Sequence, residues 1–310
     1  IDRYLRRTRA GSGNILFDRR TELLKCVRFL RDGGVVGVLI DQGAGYAGLW
    51  TPLFGRLTSS STLAATLAIR TAQPVLPIAI NTAGCARWKV TISEPVYPPE
   101  DGDNDLFTAR INRLLEEQIR RYPADWLWSH NRWKPLRPHF LFTRDQRRVF
   151  FPPDLDRAAL DPFRILLVAP ATAEAGADIL PALRAIKNGR PDLWLAVLAP
   201  HPAAQFWEKS SEIDAAIIWP SDASPFAIAA QIQDHARFDA AISFEPEWRT
   251  TLALFLARIP IRVARPQGWF SFLYNQQPPP VGLNVSVADA HLMIARSIGA
   301  NVPPLPLSTS

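Results

Sequence analysis

Five short apolar runs in the second half of the chain constrain its fold more than any other feature. Each is almost continuously apolar, and a segment with helical periodicity separates each run from the next. Such strands alternate with helices in parallel sheets that are covered on both faces. The sequence therefore predicts a Rossmann-like, doubly wound α/β domain over residues 163–300. The runs are RILLVAP (164–170), LWLAVLAP (193–200), AAIIWP (215–220), FDAAISF (238–244) and PIRVAR (260–265).

Residues 35–55, VVGVLIDQGAGYAGLWTPLFG, are the second informative segment. Its apolar run predicts a buried strand over residues 35–40, which delivers Asp41 and Gln42 to the strand's end. Open α/β sheets bind ligands beyond the carboxyl ends of their strands. We therefore expect Asp41 and Gln42 to border a binding site, although a plain surface loop is an alternative.

The glycines of this segment also match a dinucleotide-binding fingerprint. Gly43, Gly45 and Gly48 spell G-x-G-x-x-G, but that turn requires a helix to begin at the third glycine. Pro52 disfavours helix at Thr51, so the chain after Gly48 is predicted to be extended. No nucleotide cofactor is predicted here.

Metal sites are not predicted either. Cys26 and Cys85 are the only cysteines and lack the spacing of a metal site or a disulfide framework. Asp101, Asp103 and Asp105 suggest a calcium loop, but the required glycine and closing glutamate are missing. These carboxylates are better explained as favourable charges at the start of a helix.

Charge is divided unevenly along the 310 residues. Residues 1–150 contain 23 Lys+Arg and 14 Asp+Glu, a net charge of +9, whereas residues 151–310 contain 12 and 15, a net charge of −3; together they give the overall +6. A basic first half favours an anionic partner, such as a membrane surface or a phosphorylated glycolipid. No nucleic-acid-binding motif accompanies the arginines, so nucleic acid is not a predicted partner.

Three ordered blocks within residues 1–137 resemble the late acyltransferases of lipid A biosynthesis, part of the lysophospholipid acyltransferase group. The blocks are the DQ–glycine loop that ends in TPLFG (41–55), PVLP (74–77) and PADWLWSHNRWK (123–134). Gln73 departs from the small turn residue usual in the family. The resemblance implies the C-terminal part of an acyltransferase α/β domain. That domain would transfer an acyl chain from an acyl carrier protein thioester to a hydroxyl of a lipid A precursor.

The same resemblance implies the residues of a site. Arg9, Asp41 and Gln42 would support catalysis, and Arg9 and Arg132 would hold phosphate or the carrier. The remaining residues would bind substrate: Gly48, Phe54, Gly55, Trp128, His130, Arg132, Trp133 and Lys134.

The catalytic motif of that family, H-x4-D/E, is not found in this sequence. Its histidine takes the proton of the acceptor hydroxyl, and its carboxylate orients the imidazole. None of the five histidines is followed five positions later by an acidic residue. In the family the motif lies upstream of the region that matches Ile1. We therefore expect a fragment that does not turn over by this mechanism.

The second half resembles the heptosyltransferases of lipopolysaccharide core synthesis, glycosyltransferase family 9. The most specific part is PALRAIKNGRPD (181–192), which includes Arg184. The resemblance implies one half of a GT-B fold, with Glu174 or Asp178 replacing the family's base. The nucleotide-sugar donor would bind a further domain beyond Ser310. Residues 138–162 are interpreted as a proline-rich basic linker and 301–310 as a tail.

Two halves that resemble enzymes of one pathway predict a fused, peripheral membrane enzyme of lipopolysaccharide assembly. It would lie at the cytoplasmic face of the bacterial inner membrane, without a cofactor. Two alternatives remain open. The chain could be a non-catalytic module that binds glycolipid or membrane, or a heptosyltransferase-type enzyme whose active part is the second half.

Overall fold

The computed structural model describes residues 8, 10–11, 13–18, 21–170, 172–265, 268–280 and 285–302; the side chains of residues 173 and 174 lie outside this description. The chain forms two compact units. The first comprises Ile1–Phe54, Thr58–Trp133 and Arg148–Leu155, and the second comprises Gly55–Leu57, Lys134–Arg147 and Asp156–Ser310.

The second unit is built on a five-stranded parallel sheet, which confirms the predicted α/β class. Its strand order is β7-β6-β5-β8-β9, and every neighbouring pair is parallel. β5, the first of these strands in chain order, lies at the centre of the sheet, and the later strands are added on both sides of it. The strands are β5 (Phe163–Val168), β6 (Leu193–Pro200), β7 (Ala215–Trp219), β8 (Ala240–Ser243) and β9 (Ile261–Ala264).

Helices cover both faces of this sheet. Ile165 and Leu167 of β5 pack into one apolar core, and Leu166 and Val168 pack into the other. Burial on both faces explains why the strands are almost continuously apolar in sequence. The helices are Ala173–Lys187, Ala204–Glu208, Pro225–His235, Trp248–Leu256 and Val287–Ser297, with 3-10 turns at Arg157–Ala159, His201–Ala203 and Trp269–Leu273.

The segment interpreted as a linker is packed rather than free. Phe140 and Leu141 are fully buried in one core of the second unit, and the Leu141 amide donates to the carbonyl of Ile298. In the first unit, the Phe150 amide donates to the carbonyl of Trp50. Large apolar side chains between the prolines account for this packing, because burying them stabilises the fold.

Between residues 21 and 133 the chain forms three α-helices and two β-hairpins. The helices are Leu23–Arg31, Leu63–Thr71 and Asn104–Arg121, and a 3-10 turn spans Pro123–Asp125. The hairpins pair β1 (Leu49–Leu53) with β2 (Arg56–Ser60), and β3 (Ile78–Gly84) with β4 (Arg87–Ile92). Phe54 and Gly55 connect β1 to β2 with φ values of 52° and 73°. A two-residue hairpin loop requires positive φ at both positions in its type I′ form, which explains the glycine.

The predicted buried strand at 35–40 is not observed. No strand is assigned to these residues, and Val35 and Leu39 are 87% and 70% exposed. Val36, Val38 and Ile40 instead pack against the helices of this unit. An apolar run forms a strand only where a neighbouring strand pairs with it, and no such neighbour lies within the described residues. No helix in the described ranges combines the length and the apolar character needed to cross a bilayer.

Candidate functional site

The loop after Ile40 folds back onto strand β2. A single 3-10 turn spans Gly45–Ala47, and β1 begins at Leu49. The Ala44 amide donates to the carbonyl of Ser59, and the Ser59 hydroxyl donates to the carbonyl of Gly45 (2.6 Å). The predicted absence of a helix after Gly48 is confirmed, since β1 follows it directly.

Gly48 is required by close packing rather than by backbone conformation. Its φ is −73°, which any residue adopts. A Cβ at this position would collide with the Ser59 hydroxyl, would lie 2.6 Å from the Cβ of Ala44 and would lie 2.9 Å from the carbonyl oxygen of Ser60. The glycine therefore lets the loop rest against β2.

We expect Gly48→Ala to lower the free energy of unfolding by about 2 kcal/mol, because overpacking forces the loop away from β2. Chemical denaturation measures the change. Gly43→Ala is the matched control, since nothing lies within 4 Å of a Cβ at Gly43. Equal losses in the two variants would show that the loop does not rest on β2.

Arg132 connects the tryptophan-rich segment to the DQ loop. It is only 4% exposed. Its Nη1 donates to the carbonyl of Ile40 (2.8 Å), and its Nη2 donates to the hydroxyl of Ser60 (3.0 Å). The Thr58 hydroxyl donates to the carbonyl of Arg132 (2.6 Å). This one residue therefore fixes the chain immediately before Asp41 against β2.

Asp41 and Arg132 interact through their charges. Burial lowers the pKa of Arg132 to about 10, and the carboxylate of Asp41 opposes that shift. The guanidinium therefore stays protonated at neutral pH. The buried Oδ1 of Asp41 and Nε of Arg132 have no hydrogen-bond partner within the described part of the chain. Buried polar atoms are rarely left unpaired, so these two atoms are exceptions in a network that is otherwise hydrogen-bonded.

His130 contacts the DQ loop, and the neighbouring aromatic residues pack at the turn between β1 and β2. The Gly43 amide donates to Nε2 of His130 at 3.4 Å, and the imidazole is exposed. Trp133 donates through Nε1 to the carbonyl of Leu53 (3.2 Å). The rings of Phe54, Trp126 and Trp133 have centroids 5.8–6.4 Å apart. Trp128 packs on Trp126 with centroids 4.7 Å apart.

Several of the site residues predicted from sequence contact this loop or one another: Asp41, Arg132, His130, Phe54 and Trp133. Gln42 is exposed beside Asp41, and Gly55 forms the adjoining turn. Lys134 is exposed, and Arg9 lies outside the described residues. A substrate-binding role for Arg132 stays a prediction, and its buried side chain already holds the loop.

Sequence reasoning missed the hydroxyl and amide groups behind the loop. The hydroxyls of Thr58 and Ser59 donate to the carbonyls of Arg132 and Gly45, and the hydroxyl of Ser60 accepts from Arg132. Asn112, 3% exposed, donates to the Ser60 hydroxyl (2.7 Å) and completes the network. Thr58, Ser59 and Ser60 are consecutive, and their partners Arg132 and Asn112 are 52 to 74 residues away, so no local pattern signals the network.

Of the two candidate base residues of the second unit, the structure describes the side chain of one. The side chain of Glu174 lies outside the description, and that of Asp178 is exposed. The backbone carbonyl of Asp178 lies 3.5 Å from Nδ1 of the buried His291. Within the described ranges, no three His, Cys, Asp or Glu side chains are grouped closely enough to hold a metal ion.

His291 gives the second unit a pH dependence. Burial lowers the pKa of His291, while the Asp178 carbonyl and the charges of Glu245 and Asp178 oppose this shift and Arg265 adds to it. A histidine whose pKa is lowered by folding is protonated more readily in the unfolded chain, where the histidine pKa is about 6.5. We therefore expect stability to fall as the pH drops from 7 to 5. His291→Gln should flatten this dependence in denaturation curves; an unchanged slope would contradict the assignment.

Comparisons with known proteins agree with the first part of this description. Residues 1–135 match the sequence model of the bacterial lipid A biosynthesis acyltransferases. This segment, which contains the complete DQ-loop site, is therefore acyltransferase-like. No curated protein matches the chain.

Three similar solved structures are glycosyltransferases. They are a glycosyl transferase family 9 protein from Veillonella parvula DSM 2008 (16% identity, TM-score 0.42), the ADP-heptose LPS heptosyltransferase II of E. coli (18%, 0.36) and the E. coli heptosyltransferase WaaC (15%, 0.38). In the same order, the matches cover 46%, 44% and 46% of this chain, and they cover 42%, 41% and 50% of the three solved structures. The chain thus spans half or less of each of these structures, and at these TM-scores the matches carry no argument about activity.

Proposed function

We propose that residues 1–135 form the acceptor-binding part of a lipid A acyltransferase. The observation that carries this proposal is the convergence of two family-like segments far apart in sequence. The guanidinium of Arg132 bonds to the carbonyl of Ile40, and His130 accepts from the amide of Gly43. These contacts assemble one site from the DQ loop and the PADWLWSHNRWK segment.

The proposed reaction is transfer of an acyl chain from an acyl carrier protein thioester to an acceptor hydroxyl. The hydroxyl oxygen attacks the thioester carbonyl, the carbon–sulfur bond breaks and the carrier thiol leaves. A base must take the hydroxyl proton, and this sequence has no H-x4-D/E motif to supply it. The described site therefore supports binding and positioning of the acceptor rather than proton transfer.

Within this site Asp41 and Gln42 are proposed to hydrogen-bond the sugar hydroxyls of the acceptor. Asp41 is partly buried and Gln42 is exposed, so the loop presents polar side chains at its surface. His130 and the exposed Lys134 are proposed to supply groups suited to an anionic lipid. Arg9, which lies outside the described residues, keeps its proposed anion-binding role. The chain is proposed to act peripherally at the cytoplasmic face of the bacterial inner membrane.

A glycosyl-transfer role for the second unit is the second candidate. The five-stranded parallel sheet supports it, because such sheets bind ligands beyond their carboxyl ends. In this candidate a nucleotide-sugar is the donor. Binding of a nucleotide-sugar to the 310-residue chain tests this candidate. If Asp41→Asn retains that binding, the nucleotide-sugar site is independent of the acceptor site at Asp41.

Titration of the 310-residue chain with a phosphorylated lipid A precursor in detergent micelles tests the main proposal. Tryptophan fluorescence follows binding, because Trp126, Trp128 and Trp133 belong to the PADWLWSHNRWK segment and their rings pack on one another. We expect micromolar or tighter binding, and a roughly tenfold weaker affinity in Asp41→Asn, equivalent to the loss of one hydrogen bond to a charged group. Asp101→Asn, at an exposed position away from the loop, is the matched control. Equal affinity in the wild type and Asp41→Asn would reject the site.

A further inference from the structure

We propose that the outward face of the β3–β4 hairpin, together with Leu127 and Trp128, inserts into the interfacial region of an anionic lipid bilayer. The proposal deepens the proposed function by naming the surface that holds the chain at the membrane. It rests on that function for the choice of a lipid partner. Neither the sequence resemblance nor the site described above assigns a role to this hairpin.

The hairpin is unusual because its apolar face is turned outward. The register pairs Ile78 with Ile92, Ile80 with Val90 and Thr82 with Trp88, which places these side chains on one face. Its five large apolar side chains are exposed: Ile78 60%, Ile80 64%, Trp88 68%, Val90 59% and Ile92 64%.

The opposite face of the hairpin is turned toward the protein. Asn81 is 6% exposed, and Ala79 and Thr91 are partly buried. A half-buried antiparallel strand ordinarily directs its apolar side chains to the core and its polar ones to water. Here the arrangement is reversed, and the cost of hydrating the apolar face favours a partner that removes it from water.

The tryptophan-rich segment extends this face. The carboxylate of Asp125 accepts from the backbone amide of Thr82 (2.9 Å), which ties the segment to the end of the hairpin. Leu127 and Trp128, two and three residues further on, are 66% and 53% exposed. Two separate elements, the hairpin and the tryptophan-rich segment, therefore both expose apolar side chains. Several exposed apolar residues close together indicate an interaction surface, whereas a single one does not.

The residues next to the turn of the β3–β4 hairpin favour a lipid partner over a second protein surface. Arg87 and Lys89 precede and follow Trp88 next to the hairpin turn; both are exposed, and strand alternation directs them to the face opposite the Trp88 side chain. Tryptophan and basic side chains are enriched at the headgroup level of membranes, and each basic residue near an anionic surface contributes about 1 kcal/mol. The net charge of +9 over residues 1–150 acts in the same direction.

Cys85 makes the proposal directly measurable. It lies in the turn between β3 and β4 and is exposed, whereas Cys26 is buried. An environment-sensitive fluorophore attached to Cys85 of the 310-residue chain reports whether the turn enters a bilayer. The vesicles contain phosphatidylglycerol and phosphatidylcholine but no glycolipid, so failure of acceptor binding leaves this result unaffected.

We expect a blue shift with these vesicles, binding that weakens as salt is raised, and little binding to phosphatidylcholine alone. Ile80→Ser combined with Val90→Ser should weaken partitioning about tenfold, since less apolar area is buried in the interface. Phe226→Ser, which removes a 69% exposed side chain from the second unit, is the control and should bind normally.

Two results would overturn the proposal. One is the absence of a blue shift, or equal partitioning of the double variant and the wild type. The other is concentration-dependent dimerisation that the same double variant abolishes while vesicles give no shift. That second result would assign the face to another copy of this chain.

Discussion

Asp192→Asn is expected to lower the free energy of unfolding of the second unit by about 3–5 kcal/mol, the cost of leaving a buried charge uncompensated. Arg190 donates from Nε and Nη2 to the two oxygens of Asp192, at 2.8 Å each. The two side chains are only 3% and 1% exposed. The variant removes half of the carboxylate's acceptor capacity and all of its charge while retaining its shape.

The surroundings of Arg190 explain why this loss should be large. Its guanidinium lies 4.3 Å from the ring centroid of Phe142 and 4.1 Å from that of Phe163, so aromatic faces rather than water enclose it. Nη1 also donates to the carbonyl of Phe140 (3.2 Å). The ion pair thereby fastens the segment around Phe140 to the start of β5.

Urea denaturation monitored by circular dichroism measures this effect. Glu212→Gln is the matched control, because its partner Arg184 is 60% exposed and an exposed pair contributes less than about 1 kcal/mol. The double variant Arg190→Met/Asp192→Leu should recover much of the loss, since it leaves no buried charge. A cost for Asp192→Asn no larger than that of Glu212→Gln would contradict the assignment.

Arg132→Met is expected to have the second largest effect, about 3 kcal/mol, because two hydrogen bonds from a charged donor are lost. The carbonyl of Ile40 and the hydroxyl of Ser60 lose this donor. The chain before Asp41 is then no longer held against β2. We therefore also expect affinity for the lipid A precursor to fall by more than the tenfold expected for Asp41→Asn.

Denaturation and precursor titration on the same preparation measure both effects. Arg132→Lys should retain part of the stability, since an ammonium group reaches one of the two acceptors but lacks the planar fork. Arg120→Met is the control, at a side chain that is 63% exposed. Wild-type affinity in a folded Arg132→Met protein would show that the loop does not need this anchor.

The sequence predicted the second unit well because its signal is local and repeated. Apolar runs of strand length alternate with helical segments, and β6 was predicted at its observed limits, 193–200. The 3-10 helix Trp269–Leu273 and the helix Val287–Ser297 were missed. They lie between or after prolines and glycines, and their positions depend on packing against elements distant in sequence.

The first unit shows where such local reasoning fails. The helix expected to start at the acidic residues 101–105 is observed as Asn104–Arg121, and the Asp103 side chain accepts from the amides of Asp105 and Leu106 at its start. The apolar run at 35–40 predicted a strand that is not formed, because pairing depends on a neighbour. The role of Arg132 was equally hidden, since its acceptors Ile40 and Ser60 are 92 and 72 residues away in sequence.

The central claim is that the DQ loop and the PADWLWSHNRWK segment form one acceptor site. Hydrogen–deuterium exchange of the 310-residue chain, with and without the lipid A precursor, tests it most directly. We predict slower exchange on binding in residues 40–48 and 126–134, with the second unit unchanged. Slower exchange confined to the second unit, or binding that leaves both segments unchanged, would contradict the claim.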